Sequence, residues 1–302
     1  MKCLSCNRSV SKGLAHYGLH PKCFKTTFQI QELADFESFV RKQAVSGDLS
    51  PKEARPFLSS YFAGNYRKYE ATLQGIKYIL KFGAPESPEL SPVEYVCNKI
   101  ADALGLPVPT PFALILFKEE LAFVTRNFME AFPHPHNLIH IYHYLDPGEQ
   151  NYSVEKLYRV IQNTTNNPKD AHTFMKMILY DALIGNHDRH GRNLAIVETA
   201  RRKFLAPIYD NPSALGLESG AMLSADWNPL GKILTLQDAH PSMSAYLCEL
   251  QRLGFGFMID EFLVSLKHQN LDEMIETSPA LSANMKHALK RLIQKRIKEL
   301  KS

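Results

Sequence analysis

Two neighbouring segments indicate the fold most clearly: Gly185–Val197, G-N-H-D-R-H-G-R-N-L-A-I-V, and Phe204–Asp210, F-L-A-P-I-Y-D. Asp188 lies five residues before Asn193, and Asp210 follows seventeen residues later at the end of the second apolar run. Kinases hold a magnesium nucleotide and a substrate hydroxyl with this arrangement: one carboxylate orients the hydroxyl, and an asparagine and a further aspartate hold the metal ions. The alternative is that these polar residues only cap a helix and turn the chain.

The flanking residues predict a rigid scaffold for this loop. Ala171–Gly185 has apolar residues at helical spacing, and Gly185 with Asn186 is typical of a helix end. Leu194–Val197 and Phe204–Ile208 are predicted to be short strands joined by a polar turn. The three polar side chains would then meet at one end of a helix and a hairpin.

A second hairpin is predicted upstream, where the apolar runs Tyr69–Leu73 and Ile76–Phe82 are separated by Gln74-Gly75. Lys81 lies in the second strand, from which a lysine can reach nucleotide phosphates. It could also be a surface lysine on an edge strand, where lysine is favoured. The presence of both aspartates downstream favours the functional interpretation.

The next segment is predicted to be a helix that opens with Ser91 as N-cap, Pro92 and a capping-box Glu94, and that closes at Gly105. Glu94 has two possible roles, an ion pair with Lys81 or completion of the capping box, and the pattern favours capping.

Other segments have weaker patterns. Phe112–Phe117 and Leu121–Val124 are predicted strands, residues 30–48 a connecting helix, and Ser50 the start of another helix. The histidine cluster is interpreted as the irregular start of a C-terminal lobe, because no acid or cysteine accompanies it at helical spacing; its members are His134, His136, His140 and His143.

Four soft ligands lie near the N-terminus as Cys3-x-x-Cys6 and His20-x-x-Cys23. Two closely spaced pairs predict a tetrahedral, structural zinc site, with His16 as a competing ligand. Cys97 and Cys248 stand alone in apolar surroundings and no signal peptide precedes Cys3, so we expect a reducing, cytoplasmic compartment without disulfides.

Composition is that of an ordinary globular protein. The 302 residues are 45% hydrophobic, no apolar run approaches a membrane span, and 35 basic against 31 acidic residues give a net charge of +4. That charge predicts no general affinity for nucleic acid. Asn284–Ser302 is a basic amphipathic helix that could contact DNA held by a partner or a membrane surface, although packing on the C-lobe is the favoured interpretation.

These motifs together resemble the HipA-type serine/threonine kinases, the toxin kinases of bacterial toxin–antitoxin systems. The resemblance rests on N-x-D-x-H-x-x-N followed by P-x-Y-D, on Y-I-L-K-F around Lys81, and on V-E-Y-V-C-N-K-I-A-D-A-L-G-L-P-V-P at Val93–Pro109. A G-x-x-x-K pattern at Gly64 and Lys68 is similar to the family's phosphate-covering loop. The resemblance covers about residues 1 to 260.

The resemblance implies roles for individual residues. Asp188 would be catalytic, Asn193 and Asp210 would hold Mg²⁺, and His190 would shape the loop. The adenine would lie at Val124–Phe128, where Thr125 replaces an acid that is common among relatives. The implied nucleotide-binding residues are Gly64, Lys68, Lys81, Val124, Arg126, Phe128, Asn193 and Asp210, and the implied autophosphorylation candidates are Ser59 and Ser60.

The implied fold is α+β and two-lobed. Residues 1–28 would be a zinc-knuckle-like segment, residues 29–130 a small β-rich N-lobe, and residues 131–302 a mostly helical C-lobe. The short N-terminus is similar to HipT-type toxins, whose missing subdomain is a separate protein. HipS-like and HipB-like antitoxins are therefore implied partners, with DNA only indirectly through the antitoxin and no membrane. The implied protein substrate is a translation component such as an aminoacyl-tRNA synthetase.

Two other classes of function stay open. The D-x-H-x-x-N order also occurs in kinases of small molecules and lipids, for which labelling of no protein would be the sign. A non-catalytic interaction protein of the same fold is disfavoured, because Lys81, Asp188, Asn193 and Asp210 are all present. A secreted bacterial effector kinase is equally compatible with these residues.

Overall fold

The fold is taken from a computed structural model, which describes residues 1–42, 67–132, 135–145, 152–191 and 193–302. The described residues form an α+β protein with a β-rich N-terminal lobe and a mostly helical C-terminal lobe. Gly64, Ser59, Ser60, the predicted helix after Ser50, and His134 lie outside the described residues.

The N-terminal lobe is built on a five-stranded antiparallel sheet in the order β1-β2-β3-β5-β4. The predicted hairpin is confirmed as β2 and β3, and the second strand pair as β4 and β5. In the first hairpin Gln74 and Gly75 both have positive φ, which matches the right-handed twist of the flanking strands. The strands are β1 Glu37–Lys42, β2 Arg67–Leu73, β3 Ile76–Phe82, β4 Phe112–Phe117 and β5 Glu120–Arg126.

The prediction of a connecting helix over residues 30–48 is wrong for the part that the structure describes. Glu37–Lys42 is instead the edge strand β1, paired with β2 through an irregular register. Most of its side chains are exposed, so no apolar alternation marks it in the sequence. Pairing with β2, a tertiary interaction, determines its conformation.

Helix α2, Leu90–Ala103, packs against the sheet, but it does not begin as predicted. Its N-cap position is Glu89, and Ser91 lies inside the first turn. The Ser91 hydroxyl donates to the Lys81 carbonyl oxygen at 2.9 Å instead of capping the helix. The serine therefore joins the helix to strand β3.

The C-terminal lobe consists mainly of helices around the long buried helix α4, whose predicted position and Gly185 end are confirmed. A small sheet in the order β6-β7-β8 carries the chain from α4 back toward Asp210. The helices are α3 Val154–Thr165, α4 Pro168–Ile184, α5 Met243–Arg252, α6 Gly256–Lys267, α7 Leu271–Glu276 and α8 Ala283–Glu299, with α1 Pro21–Phe28 in the N-terminal segment; the strands are β6 His136–His140, β7 Ala195–Thr199 and β8 Lys203–Leu205.

Helix α8 packs on the C-lobe, as the favoured interpretation predicted. Its apolar side chains Met285, Leu289, Leu292 and Ile293 are buried in the main hydrophobic core. The histidines that were interpreted as an irregular start include a regular strand: His136 and His140 are buried at the two ends of β6. In the part of the chain that the structure describes, no helix has the length and apolar character needed to span a bilayer.

Candidate active site

Two lysines lie side by side on the inner face of the N-lobe sheet. Lys68 on β2 is directly opposite Lys81 on β3, so both side chains leave the same face of the sheet. Both are buried, with relative exposures of 1% and 4%. Like charges directly opposite one another are destabilising, and buried charges require partners. The site therefore needs carboxylates at this position.

Glu94 and Asp210 supply those carboxylates from two other elements. The Lys81 ammonium contacts both Glu94 on α2 and Asp210 after β8. Lys68 lies 3.3 Å from an Asp210 oxygen. The expectation that Glu94 mainly completes a capping box is wrong, because its carboxylate is buried against Lys81. Two lysines and two carboxylates thus join the sheet, helix α2 and the C-lobe.

Burial and the neighbouring charges together shift the pKa values of the four ionisable groups in this cluster. Burial alone would raise the pKa of Asp210, but the ammonium groups of Lys68 and Lys81 lower it far below its usual range. Burial lowers the pKa of Lys68, whereas the carboxylates of Asp210 and Glu94 outweigh burial and raise that of Lys81. Burial raises the pKa of Glu94, so Asp210 is the carboxylate that holds its charge more strongly.

The backbone of Asp210 is held in an uncommon conformation. Its φ is +53°, in the left-handed region that costs a non-glycine residue about 1 kcal/mol. Aspartate tolerates this region better than most residues. The conformation is maintained by the loop that directs the carboxylate at both lysines, as is usual for strained residues at functional sites.

Asp188 lies on the loop that follows α4, and its side chain is half exposed. Gly185 ends the helix with φ +68°, and the Asn186 side chain then accepts a hydrogen bond from the Asp188 N–H at 3.0 Å. The Asp188 carboxylate is 54% exposed and lies 3.0 Å from the Lys232 ammonium and 3.8 Å from His190 Nε2. An exposed carboxylate held by a turn is suited to receive a proton from an incoming hydroxyl.

Asn193 closes the same loop. Its side-chain amide donates to the Asp188 carbonyl oxygen at 2.9 Å, so the amide nitrogen is used within the loop. The side-chain oxygen takes no part in that hydrogen bond. Oxygen from an amide and from a carboxylate is the ligand type that Mg²⁺ prefers, so Asn193 and Asp210 fit this ion chemically.

Arg189 organises the whole loop, and sequence reasoning missed it. Its buried guanidinium forms a bidentate ion pair with the Asp181 carboxylate of α4, with N–O distances of 2.8 and 3.0 Å. One nitrogen, Nη1, donates to the carbonyl oxygens of both Asn193 and Tyr209, at 3.1 and 2.7 Å. The other, Nη2, also reaches Asn211 at 2.6 Å. One side chain therefore holds the backbone of Asn193 and the two residues that flank Asp210.

A signal for this network was present in the sequence. Asp181 interrupts the apolar run of a helix that is otherwise buried, and a buried carboxylate needs a cationic partner. Which cation it pairs with could not be read from spacing. A further hydrogen bond from Asn211 to Asn98 extends the network to helix α2 at 3.1 Å.

The residues expected to contact adenine, 124–128, lie partly in strand β5 and partly just beyond its end. Val124 is fully buried, in a strand paired on both sides, so its side chain belongs to the N-lobe core. Thr125 donates to the Pro109 carbonyl oxygen at 2.9 Å. Phe128 stacks on Tyr209, beside Asp210, with ring centroids 5.9 Å apart. Arg126 Nε is buried with no hydrogen-bond partner among the described residues.

A second cluster lies in the N-terminal segment, where the structure brings together Cys3, Cys6, His20 and Cys23. Their ligand atoms all lie within 4.8 Å of one another, a spacing that can hold a metal ion. A hydrogen bond from the Arg8 side chain lowers the pKa of Cys6 to about 6, which favours the thiolate. His16, the competing ligand, is outside the cluster and bonds to the Ala34 carbonyl oxygen at 2.9 Å.

Comparison with known proteins relates the chain to kinases. The family described as "HipA-like C-terminal domain" matches residues 53–246. A Haemophilus influenzae protein named "Putative kinase" is 29% identical over 160 residues, which are 47% of this chain and 46% of that protein. The chain thus spans about half the length of this curated relative.

Two solved structures share the fold. The Helicobacter pylori proinflammatory kinase CtkA superposes with a TM-score of 0.65 and 20% identity, covering 77% of this chain and 90% of that one. HipA of the Shewanella oneidensis toxin–antitoxin system, solved with HipB and operator DNA, has a TM-score of 0.59 and 16% identity, covering 89% of this chain and 72% of that one. At these identities the likeness concerns the fold alone.

Proposed function

The chain belongs to the HipA-like C-terminal domain family, and from this we propose that it is an ATP- and magnesium-dependent serine/threonine protein kinase. One observation carries the proposal: Lys81, Glu94 and Asp210 form a buried ion cluster beside a loop that presents Asp188 and Asn193. A lysine with a helix glutamate, a metal-binding aspartate and a catalytic-loop aspartate are the parts that protein kinases share.

Each residue has a defined task in this proposal. Lys68 and Lys81 offset the phosphate charge, and Arg126 and Phe128 line the adenine side with Val124 behind them. Asn193 and Asp210 would hold Mg²⁺, which would neutralise charge on the phosphates. Gly64, outside the described residues, would belong to the phosphate-covering loop.

Asp188 acts on the substrate hydroxyl. The hydroxyl oxygen forms a bond to the γ-phosphorus, the bond from that phosphorus to the ADP oxygen breaks, and ADP leaves with the electron pair. The hydroxyl proton goes to the Asp188 carboxylate. Lys232, 3.0 Å from that carboxylate, forms a partly exposed ion pair with it.

The proposed biological setting is a HipT-type toxin in the cytoplasm, with HipS-like and HipB-like antitoxin partners and an aminoacyl-tRNA synthetase as the substrate class. It is supported by the family match and by the Shewanella relative that was solved with HipB and DNA. Autophosphorylation at Ser59 or Ser60 is part of the same proposal.

The test is incubation of the full chain with labelled ATP, magnesium and a bacterial lysate. We expect wild type to label a discrete protein and Asp188→Asn to label it at least about 100-fold more slowly. Asp226→Asn is the matched control, because that carboxylate is 75% exposed and pairs with Lys295 at the surface. Labelling of small molecules or lipids with no labelled protein would move the function to that alternative class.

The toxin setting needs its own measurement. Induction of wild type in bacteria should stop growth, Asp188→Asn should not, and co-expression of the two candidate antitoxins should restore growth. Phosphopeptide mass spectrometry after incubation with ATP should place phosphate on Ser59 or Ser60. Growth arrest by the Asp188→Asn variant would contradict a toxin that acts by phosphorylation.

A further inference from the structure

The cluster of Cys3, Cys6, His20 and Cys23 has the composition of a metal site that the proposed kinase reaction does not use. Three sulfur atoms and one imidazole nitrogen lie within 4.8 Å of one another. Cys6 Sγ is 3.4 Å and Cys23 Sγ 3.9 Å from the same nitrogen, His20 Nδ1. The ligand atoms therefore surround one point, instead of forming one pair with two bystanders.

The imidazole of His20 is oriented for ligation. Its Nδ1 faces the sulfur atoms, and its Nε2 lies 3.0 Å from the Ser9 carbonyl oxygen. A carbonyl oxygen can only accept, so Nε2 carries a proton, and in the neutral imidazole Nδ1 then presents its lone pair to the cluster. A hydrogen bond from the second ring nitrogen to a carbonyl is the usual way in which proteins orient a metal-bound histidine.

The backbone holds both ligand pairs rigidly. In the first pair, the Cys3 N–H donates to the Arg8 carbonyl oxygen at 2.9 Å, which closes a tight loop around Cys6. In the second, Cys23 lies in the first turn of α1 and His20 immediately precedes that helix. The Leu4 N–H donates to the Gly18 carbonyl oxygen at 3.0 Å and joins the two halves.

We propose that these four residues bind one structural Zn²⁺ ion. Three thiolates and an imidazole are the soft and borderline ligands that zinc takes in closed tetrahedral sites, whereas magnesium and calcium require oxygen. All four positions are filled by protein, so the ion has no place for water or substrate. The inference is independent of the kinase proposal.

The contacts of the segment indicate what this zinc stabilises. The Leu116 N–H of β4 donates to the Tyr17 carbonyl oxygen at 2.9 Å, and Cys3 and Phe24 are buried in the same core as the sheet. The Asn7 side chain also donates to the Thr277 carbonyl oxygen of the C-lobe. A segment this small cannot bury a core of its own, so an ion that links its two loops holds it against the sheet.

The experiment is metal analysis of the full chain purified without chelator. We expect about one zinc per chain in wild type, less than half of that in Cys6→Ser and in His20→Ala, and wild-type content in the controls Cys248→Ser and His287→Ala, whose side chains are exposed. A strong chelator should lower the melting temperature of wild type and of the controls. It should leave the melting temperature of Cys6→Ser nearly unchanged.

A second measurement guards against variants that fail to fold. Wild type, stripped by chelator and reloaded with Co²⁺, should show the intense visible absorption of tetrahedral cobalt with thiolate ligands, and added Zn²⁺ should remove it. Absence of zinc before and after reloading would overturn the proposal. So would iron in place of zinc, or full zinc content in a folded Cys6→Ser variant.

Discussion

Asp210 is the residue on which the charge balance of the site depends most. It contacts two buried lysines that lie directly opposite each other on β2 and β3. Removing one partner of a buried ion pair leaves the remaining charge in a medium that solvates it poorly. The free energy of unfolding should therefore depend on this carboxylate even without nucleotide.

We predict that Asp210→Asn lowers the free energy of unfolding by about 3 kcal/mol at pH 7, measured by urea denaturation. The lysines lower the folded-state pKa of Asp210 below its unfolded value of about 3.9. The stabilisation is thus fully present above that value and is lost as the pH falls through the folded pKa. The difference between variant and wild type should be equal at pH 7 and pH 5 and smaller near pH 3.

The control for this measurement is Asp226→Asn, which removes an exposed pair and should change stability by about 1 kcal/mol or less. A variant Asp210→Asn as stable as wild type at pH 7 would show that the lysines are adequately paired without Asp210.

Arg189 gives a residue-scale test of positioning. Its guanidinium makes five hydrogen bonds in one plane, which the single ammonium of lysine cannot reproduce. We predict that Arg189→Lys lowers kcat by about 100-fold, because a shift of about 1 Å in the loop is that costly. The dissociation constant of ATP, measured by calorimetry, should change much less than kcat.

Arg252→Lys is the matched control, since Arg252 forms partly exposed ion pairs with Glu155 and Glu249 far from the loop in sequence. Assays well below the melting temperature separate positioning from unfolding. Equal loss of kcat in both variants would contradict the positioning role.

At the scale of elements, the end of helix α4 determines where the loop that carries Asp188 begins. Gly185 has φ +68°, and a Cβ added there would lie 2.8 Å from Leu292 Cδ2 and 3.0 Å from Pro229 Cγ. Glycine is therefore required for its backbone conformation and for the close approach of helix α8.

Gly254, which follows helix α5, separates these two effects. It also has positive φ, +83°, but nothing lies within 4 Å of an added Cβ. We predict that Gly254→Ala costs about 1 kcal/mol of unfolding free energy for strain alone, and that Gly185→Ala costs about 1–3 kcal/mol more through overpacking. If thermal or urea denaturation gave the same loss of unfolding free energy for both variants, the steric contribution at Gly185 would be ruled out.

At the scale of the whole molecule, the ion cluster joins the N-lobe sheet, helix α2 and the C-lobe at one point. A nucleotide bound there would contact both lobes and stabilise the folded state by mass action. We predict that Mg-ATP at about 100 times its Kd raises the melting temperature by about 5 °C.

Lys81→Met should remove most of this thermal shift, whereas Lys12→Met, a change at a side chain that is 82% exposed, should leave it intact. Asp188→Asn should also keep the shift, because that carboxylate is assigned to the hydroxyl and not to ATP. A full shift with Lys81→Met would contradict the assignment of Lys81 to the phosphates.

Elements with local patterns could be predicted from the order of residues along the chain. Helix α4 and the hairpin of β2 and β3 were predicted because apolar periodicity and turn residues act over a few neighbouring positions. The four clustered ligands of the N-terminal segment were predicted for the same reason, since two residues separate the members of each pair.

Contacts could not be predicted where a residue has two possible partners, or where its partner is distant in the chain. Glu94 fits a capping box locally, yet it is buried against Lys81, and Ser91 binds β3 instead of capping α2. Strand β1 forms because it pairs with β2. The Arg189 side chain is held by hydrogen-bond acceptors on three separate segments of the chain. Spacing along the chain carries no information about these contacts, because the free energy of desolvating a charge is offset only by what the fold places beside it.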